Sequence, residues 1–94
     1  MPAFKRGHKK LTNSELSLFE KKLDQFISDL ADMETGRLTW FRPGLRVTKV
    51  EGAPGLLEMS WDGDGRATFT FGPEQVTGKH HIVWHDIGGH EILP

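Results

Sequence analysis

The spacing of apolar positions changes once along the chain, from a helical to an extended period. Between residues 11 and 32, Leu16, Phe19, Leu23, Phe26, Ile27 and Leu30 recur as one stripe at helical spacing. Thr12 followed three residues later by Glu15 has the form of a capping box, and Gly36 is placed to stop the helix. Glu15, Glu20, Asp24, Asp29 and Asp32 fall on other faces, which predicts a core-packing helix with a solvated acidic side. Residues 5–10 are expected to add a short helical turn, weakest at Gly7.

Arg42-Pro43-Gly44 reads as a turn, and extended segments follow at 45–51, 56–62, 66–71 and 81–87. Glycine-rich connections at 52–55 and 62–65 predict hairpins, so at least three consecutive strands are antiparallel. Alternation puts Leu57, Met59 and Trp61 on one face, and Ala67, Phe69 and Phe71 on one face of the next strand, both expected against the helix. The class is α+β, with helical material first and an antiparallel sheet of about four strands after it. One domain over 1–94 is divided into a basic arm (1–10), a main helical region (11–35) and a sheet region (45–93).

With 94 residues, 36% hydrophobic and 27% charged, the chain fits a globular domain with one core. No apolar run approaches the roughly 18 residues that span a bilayer, and the basic start leads into a polar segment, so no signal peptide is expected. The absence of cysteine excludes disulfides and thiolate metal sites and suits a reducing cytoplasm. The net charge of -1 is unevenly placed. Lys5, Arg6, Lys9 and Lys10 are the only charged residues of the first ten, which leaves 8 basic against 13 acidic residues in the rest. Such an arm can approach phosphates or an acidic partner, whereas the body binds nucleic acid poorly without it.

The densest chemistry is at the end of the chain, where His80, His81, His85 and His90 surround an apolar strand and a Gly88-Gly89 turn. Metal ligation is the weaker use of these imidazoles: on a strand His81 and His85 are about 13 Å apart along one face, too far for one ion. Regular alternation puts His81, Val83, His85 and Ile87 on one face and Ile82, Trp84 and Asp86 on the other, with Trp84 inward. The Gly-Gly turn then brings His90 beside the end of the sheet. Arg46 and Lys49 from the first strand and Arg66 from the third add cations able to hold a phosphate, while a histidine moves a proton. Together these are the parts of metal-free phosphodiester cleavage, in which a base deprotonates a 2′-OH and an acid protonates the leaving oxygen. The bland reading stays beside it: Arg66 next to Asp62 and Asp64 can simply brace a hairpin.

The order of these parts resembles the RelE/ParE toxin superfamily. The likeness runs through Phe4-Lys5, Lys9-Lys10-Leu11, Leu45-Arg46-Val47, Gly55-Leu56-Leu57-Glu58-Met59, Gly65-Arg66-Ala67-Thr68-Phe69 and the closing Ile87-Gly88-Gly89-His90-Glu91-Ile92-Leu93. That closing motif is most similar to the YafQ-type branch. The resemblance implies N-terminal helices packed on a curved antiparallel sheet, in a toxin of a bacterial toxin-antitoxin pair. It further implies metal-independent, cofactor-free cleavage of mRNA on the ribosome, giving a 2′,3′-cyclic phosphate, and neutralisation by a cognate antitoxin. By motif position, His90 matches the C-terminal acid or base and Arg66 the arginine on the scissile phosphate. His85, Arg46 and Lys49 match by position alone. The chain departs from the family in its slight acidity, in a first strand confined to residues 2–4 and in a longer loop at 72–79.

Two other readings stand beside this one. A non-catalytic relative would bind DNA gyrase or only an antitoxin, and would tolerate loss of His90. A zinc-dependent module would lose thermal stability with a chelator.

Overall fold

The structure, a computed structural model, describes residues 2–93, and the side chains of Pro2 and His90 lie outside the described part. Two helices, α1 (Pro2–Lys9) and α2 (Asn13–Glu34), precede four strands: β1 (Thr48–Lys49), β2 (Leu57–Ser60), β3 (Arg66–Gly72) and β4 (His81–Gly88). The strands form one antiparallel sheet in chain order, and short 3-10 turns at Pro43–Leu45 and His90–Ile92 precede and follow it. The class is therefore α+β. No helix among the described residues is long and apolar enough to cross a membrane.

The start of α2 follows from its sequence. The Thr12 hydroxyl accepts from the Glu15 main-chain N–H at 3.1 Å, and the Glu15 carboxylate accepts from the Thr12 N–H at 2.8 Å. At the other end Gly36 takes φ of 81°, which lets the Arg37 N–H fold back onto the Asp32 carbonyl. Phe19 and Phe26 bury the apolar stripe against Met59, Ala67 and Phe69 of the sheet and Trp61 just after β2. Phe26 stacks on Phe41 with ring centres 4.6 Å apart and meets Phe69 edge-on at 5.1 Å.

The stripe differs from its expected form at two positions. Ile27 is 56% exposed, whereas Asp29, expected on the solvated side, is 1% exposed. The reason is Arg42, whose guanidinium meets the Asp29 carboxylate across the loop and makes a buried charge tolerable.

The N-terminus also differs. Residues 2–4 form no strand; they open α1, which turns the expected basic arm into a helix packed on β4. Phe4 and His8, four residues apart, stack on one face of α1, and Phe4 reaches Trp84 and Phe19. Gly7 allows this contact, since a Cβ there would overlap the Ile87 carbonyl oxygen.

The first strand shrinks from the expected 45–51 to Thr48–Lys49. Leu45 closes the 3-10 turn, and Arg46 follows in the left-handed conformation with φ of 49°, so Arg46 lies outside the sheet. The second strand likewise ends at Ser60, where Trp61 turns to donate to the Gly65 carbonyl.

The register of β3 and β4 breaks between Thr68 and Phe69. Thr68 opposes Asp86 and Phe69 opposes Trp84, so His85 is the extra residue of a β-bulge. Regular alternation had put Ile87 on the face opposite Trp84. The bulge reverses the parity, and Ile82, Trp84 and Ile87 all join the core.

Candidate functional site

The face of the sheet turned away from the core carries the polar strand residues. Glu58, Thr68 and Asp86 form one row across β2, β3 and β4, and Ser60, Arg66 and Gly88 form the next. His85 follows on the other side of the Glu58 row, where its Nε2 shares a 2.9 Å hydrogen bond with the Thr70 hydroxyl. The bulge puts His85 on this face beside Asp86. Thr70 had drawn no attention in the sequence. The signal that finds it is the odd spacing of Trp84 and Ile87, two large apolar residues that both need burial only if the strand bulges between them.

Arg66 begins β3 on the same face, yet its Nη1 donates to the carbonyl oxygens of Asp62, Gly63 and Gly65 at 3.4, 3.3 and 2.9 Å. The guanidinium therefore braces the hairpin between β2 and β3. Its Nε is buried without a hydrogen-bond partner among the described residues.

A cleft of about 470 Å³ opens between α1, the tip of that hairpin and the end of β4. Arg6 and Lys10 line one side. Asp62, Asp64, Asp86 and Glu91 line the sheet side, with Glu15 from α2 at the rim. Asp86 accepts from the Ile87 N–H at 2.9 Å and Glu91 from the Gly89 N–H at 3.0 Å, so both carboxylates are held in the cleft by main chain. The expected basic arm thus contributes Arg6 and Lys10 to a cleft in which carboxylates outnumber cations, while Lys5 and Lys9 stay exposed outside it.

The remaining predicted residues are dispersed. Lys49 is exposed on the edge strand β1, and Arg46 is exposed before it. His90 opens the final 3-10 turn, directly after the Gly88 and Gly89 that line the cleft, and its side chain lies outside the described residues. Arg66 and His85 therefore share the outer face of the sheet, whereas Arg46, Lys49 and the α1 cations do not join them there. Among the described residues no three histidines or carboxylates are placed to hold a metal ion.

A second, smaller hollow of about 260 Å³ lies at the opposite end of β3 and β4. Its walls are Trp40, Phe71, His80 and His81. Trp40 had no role in the sequence reading because it falls within no motif, whereas Phe71, expected on the face against the helix, is 38% exposed at the end of that face.

Comparison of the chain with protein-family models, curated proteins and solved structures gives no match. The functional reading rests on the residues themselves.

Proposed function

We propose that this protein is a RelE-like toxin that cleaves mRNA on the ribosome in the bacterial cytoplasm, without metal, and is held inactive by a cognate antitoxin. The observation that carries this reading is the hydrogen bond between His85 and Thr70 on the outer face of the sheet. It fixes one imidazole edge and leaves the other nitrogen to exchange a proton with an RNA 2′-OH or with the leaving 5′-oxygen. In this reading the 2′-oxygen attacks the adjacent phosphorus, the bond to the 5′-oxygen breaks, and the products are a 2′,3′-cyclic phosphate and a free 5′-OH. Arg66 shares the face, with Nη1 engaged by the hairpin carbonyls, and in this reading its Nη2 meets the phosphate. His90 supplies the second proton-transfer group.

A second reading has its own observation. The cleft beside the Gly88-Gly89 turn carries more carboxylates than cations and repels phosphate there. That favours a non-catalytic relative whose surface meets only a protein, an antitoxin or gyrase.

Induced expression separates them. Wild type is expected to arrest growth and to produce positioned cuts in a translated message, read by primer extension. His85→Ala and His90→Ala are each expected to lower cutting by about 10²- to 10⁴-fold, the usual worth of a general acid or base. Arrest with uncut message, or arrest that survives both substitutions, would select the binding reading.

A further inference from the structure

We propose that Arg66 is a latch: a phosphate held on the outer face of the sheet draws Nη1 off the hairpin carbonyls, loosens the tip at 62–65 and so reshapes a wall of the large cleft. The phosphate at Arg66 belongs to the ribonuclease reading, on which the latch therefore rests.

The hairpin between β2 and β3 is lightly fastened. The Trp61 main-chain N–H donates to the Gly65 carbonyl at 3.1 Å, and Arg66 Nη1 adds its bonds to the carbonyls of Asp62, Gly63 and Gly65. Nη1 has two hydrogens for these three acceptors, and the distances to Asp62 and Gly63, 3.4 and 3.3 Å, exceed the usual range for such bonds. The same segment buries two donors without an acceptor among the described residues, Arg66 Nε and the indole Nε1 of Trp61. Buried donors left unsatisfied raise the energy of the arrangement that holds them, so the hairpin gives up little when Nη1 leaves.

Guanidinium geometry makes a phosphate compete for Nη1. A bidentate contact uses Nη2 together with Nε or with Nη1. Nε is buried, so the second bond comes from Nη1. A hydrogen bond to a charged oxygen is about twice as strong as one to a neutral carbonyl, and the long bonds to Asp62 and Gly63 are the first to break.

The effect reaches the other side of the hairpin. Asp62, Asp64 and Gly65 line the cleft beside α1, as does Trp61, whose ring lies so close to Gly65 that a Cβ there would overlap it. Loosening the tip therefore shifts this wall. Phosphate on the outer face and the shape of the cleft become one equilibrium, and by reciprocity a molecule that fixes the tip from the cleft weakens phosphate binding at Arg66.

The test follows amide hydrogen exchange by NMR in the full chain, at fixed pH and ionic strength, as inorganic phosphate is added. Saturable shifts of the Arg66 and Thr70 amide signals report binding on the outer face. The Trp61 amide, bonded to the Gly65 carbonyl, is expected to exchange about ten-fold faster at saturation, the worth of one hydrogen bond, while the amides of β3 keep their protection. In Arg66→Met the Trp61 amide is expected to exchange fast from the start and not to respond to phosphate. The wild-type titration decides the matter should that variant not fold. Saturable shifts with unchanged Trp61 exchange would overturn the latch and leave phosphate at Arg66 standing. Faster exchange throughout β3, or an equal response in folded Arg66→Met, would also overturn it, because the loosening would not pass through Arg66. Absence of saturable shifts with phosphate and with an uncleavable 2′-O-methyl oligonucleotide would overturn the latch, and uncut message in cells beside it would overturn the ribonuclease reading as well.

Discussion

Asp29 and Arg42 form the one ion pair among the described residues in which the acid is fully buried. The carboxylate Oδ1 accepts from Nη2 of Arg42 at 2.8 Å, and Oδ2 accepts from the Arg42 main-chain N–H at 2.9 Å. One residue thus supplies both the counter-charge and a backbone donor, and α2 is tied to the loop that positions Phe41 and Trp40.

Asp29→Ala removes both acceptors and is expected to lower stability by about 2 to 3 kcal/mol, the range for hydrogen bonds to a charged group. Chemical denaturation at neutral pH measures it. Arg42→Met is also expected to destabilise, because the carboxylate stays buried without its partner. A stability unchanged by both substitutions would deny the pair a structural role.

The same pair sets an acid limit. Hydrogen bonds from the Arg42 side chain hold the Asp29 carboxyl below its ordinary value, against the opposing effect of burial. Between the folded and unfolded pKa values the unfolded chain binds more protons, so stability rises with pH in that window. The contribution is complete above the unfolded value of about 3.9 and is lost as pH falls through the lower folded value. Asp29→Asn is therefore expected to be less stable than wild type at pH 7, with the gap closing below about pH 4. Parallel denaturation curves across this range, with a constant gap, would contradict it.

Gly7 tests the packing of α1. Alanine in a helix is favoured over glycine by about 1 kcal/mol, so local propensity predicts that Gly7→Ala stabilises. The Ile87 carbonyl leaves no room for the Cβ, and α1 must move off β4. A net loss of up to about 2 kcal/mol is expected, the overpacking cost of about 1 to 3 kcal/mol less the propensity gain. Thermal unfolding decides the sign.

These positions show what was legible in the sequence. Thr12 and Glu15 marked the start of α2 because capping is local. Phe19 and Phe26 were placed in the core because their period is local too. Asp29 was misplaced because its partner lies 13 residues on, across a turn that periodicity does not see. Phe4 and His8 carried the helical spacing of α1, but the likeness to a first strand outweighed it. On the outer face Arg66 and His85 were legible as residue types, while the bulge that joins His85 to Thr70 depends on cross-strand register.

The loop from β3 to β4 is tied back to α2 at one point. Glu34 accepts from the His80 main-chain N–H at 2.6 Å and lies 3.8 Å from the Lys79 ammonium. Lys79 is largely exposed, so the ion pair adds little and the hydrogen bond holds the loop. Glu34→Ala is expected to speed hydrogen exchange at the His80 amide with little change in global stability, and Lys79→Ala to leave that amide as protected as before. Equal protection in Glu34→Ala would mean that the loop is held by its other contacts.

Thr70 separates positioning from packing at the candidate site. Valine keeps the shape and β-branching of threonine, so Thr70→Val suits β3 and removes only the hydroxyl that His85 shares. If the hydrogen bond orients the imidazole for proton transfer, message cutting is expected to fall by about ten-fold, the worth of roughly 1.4 kcal/mol in the transition state, while thermal stability changes little. Thr70→Ser restores the hydroxyl and is expected to recover cutting. A Thr70→Val protein that cuts as wild type does, while His85→Ala does not, would leave His85 acting without its neighbour, and cutting kept in Thr70→Val but lost in Thr70→Ser would trace the effect to packing of the β3 methyl.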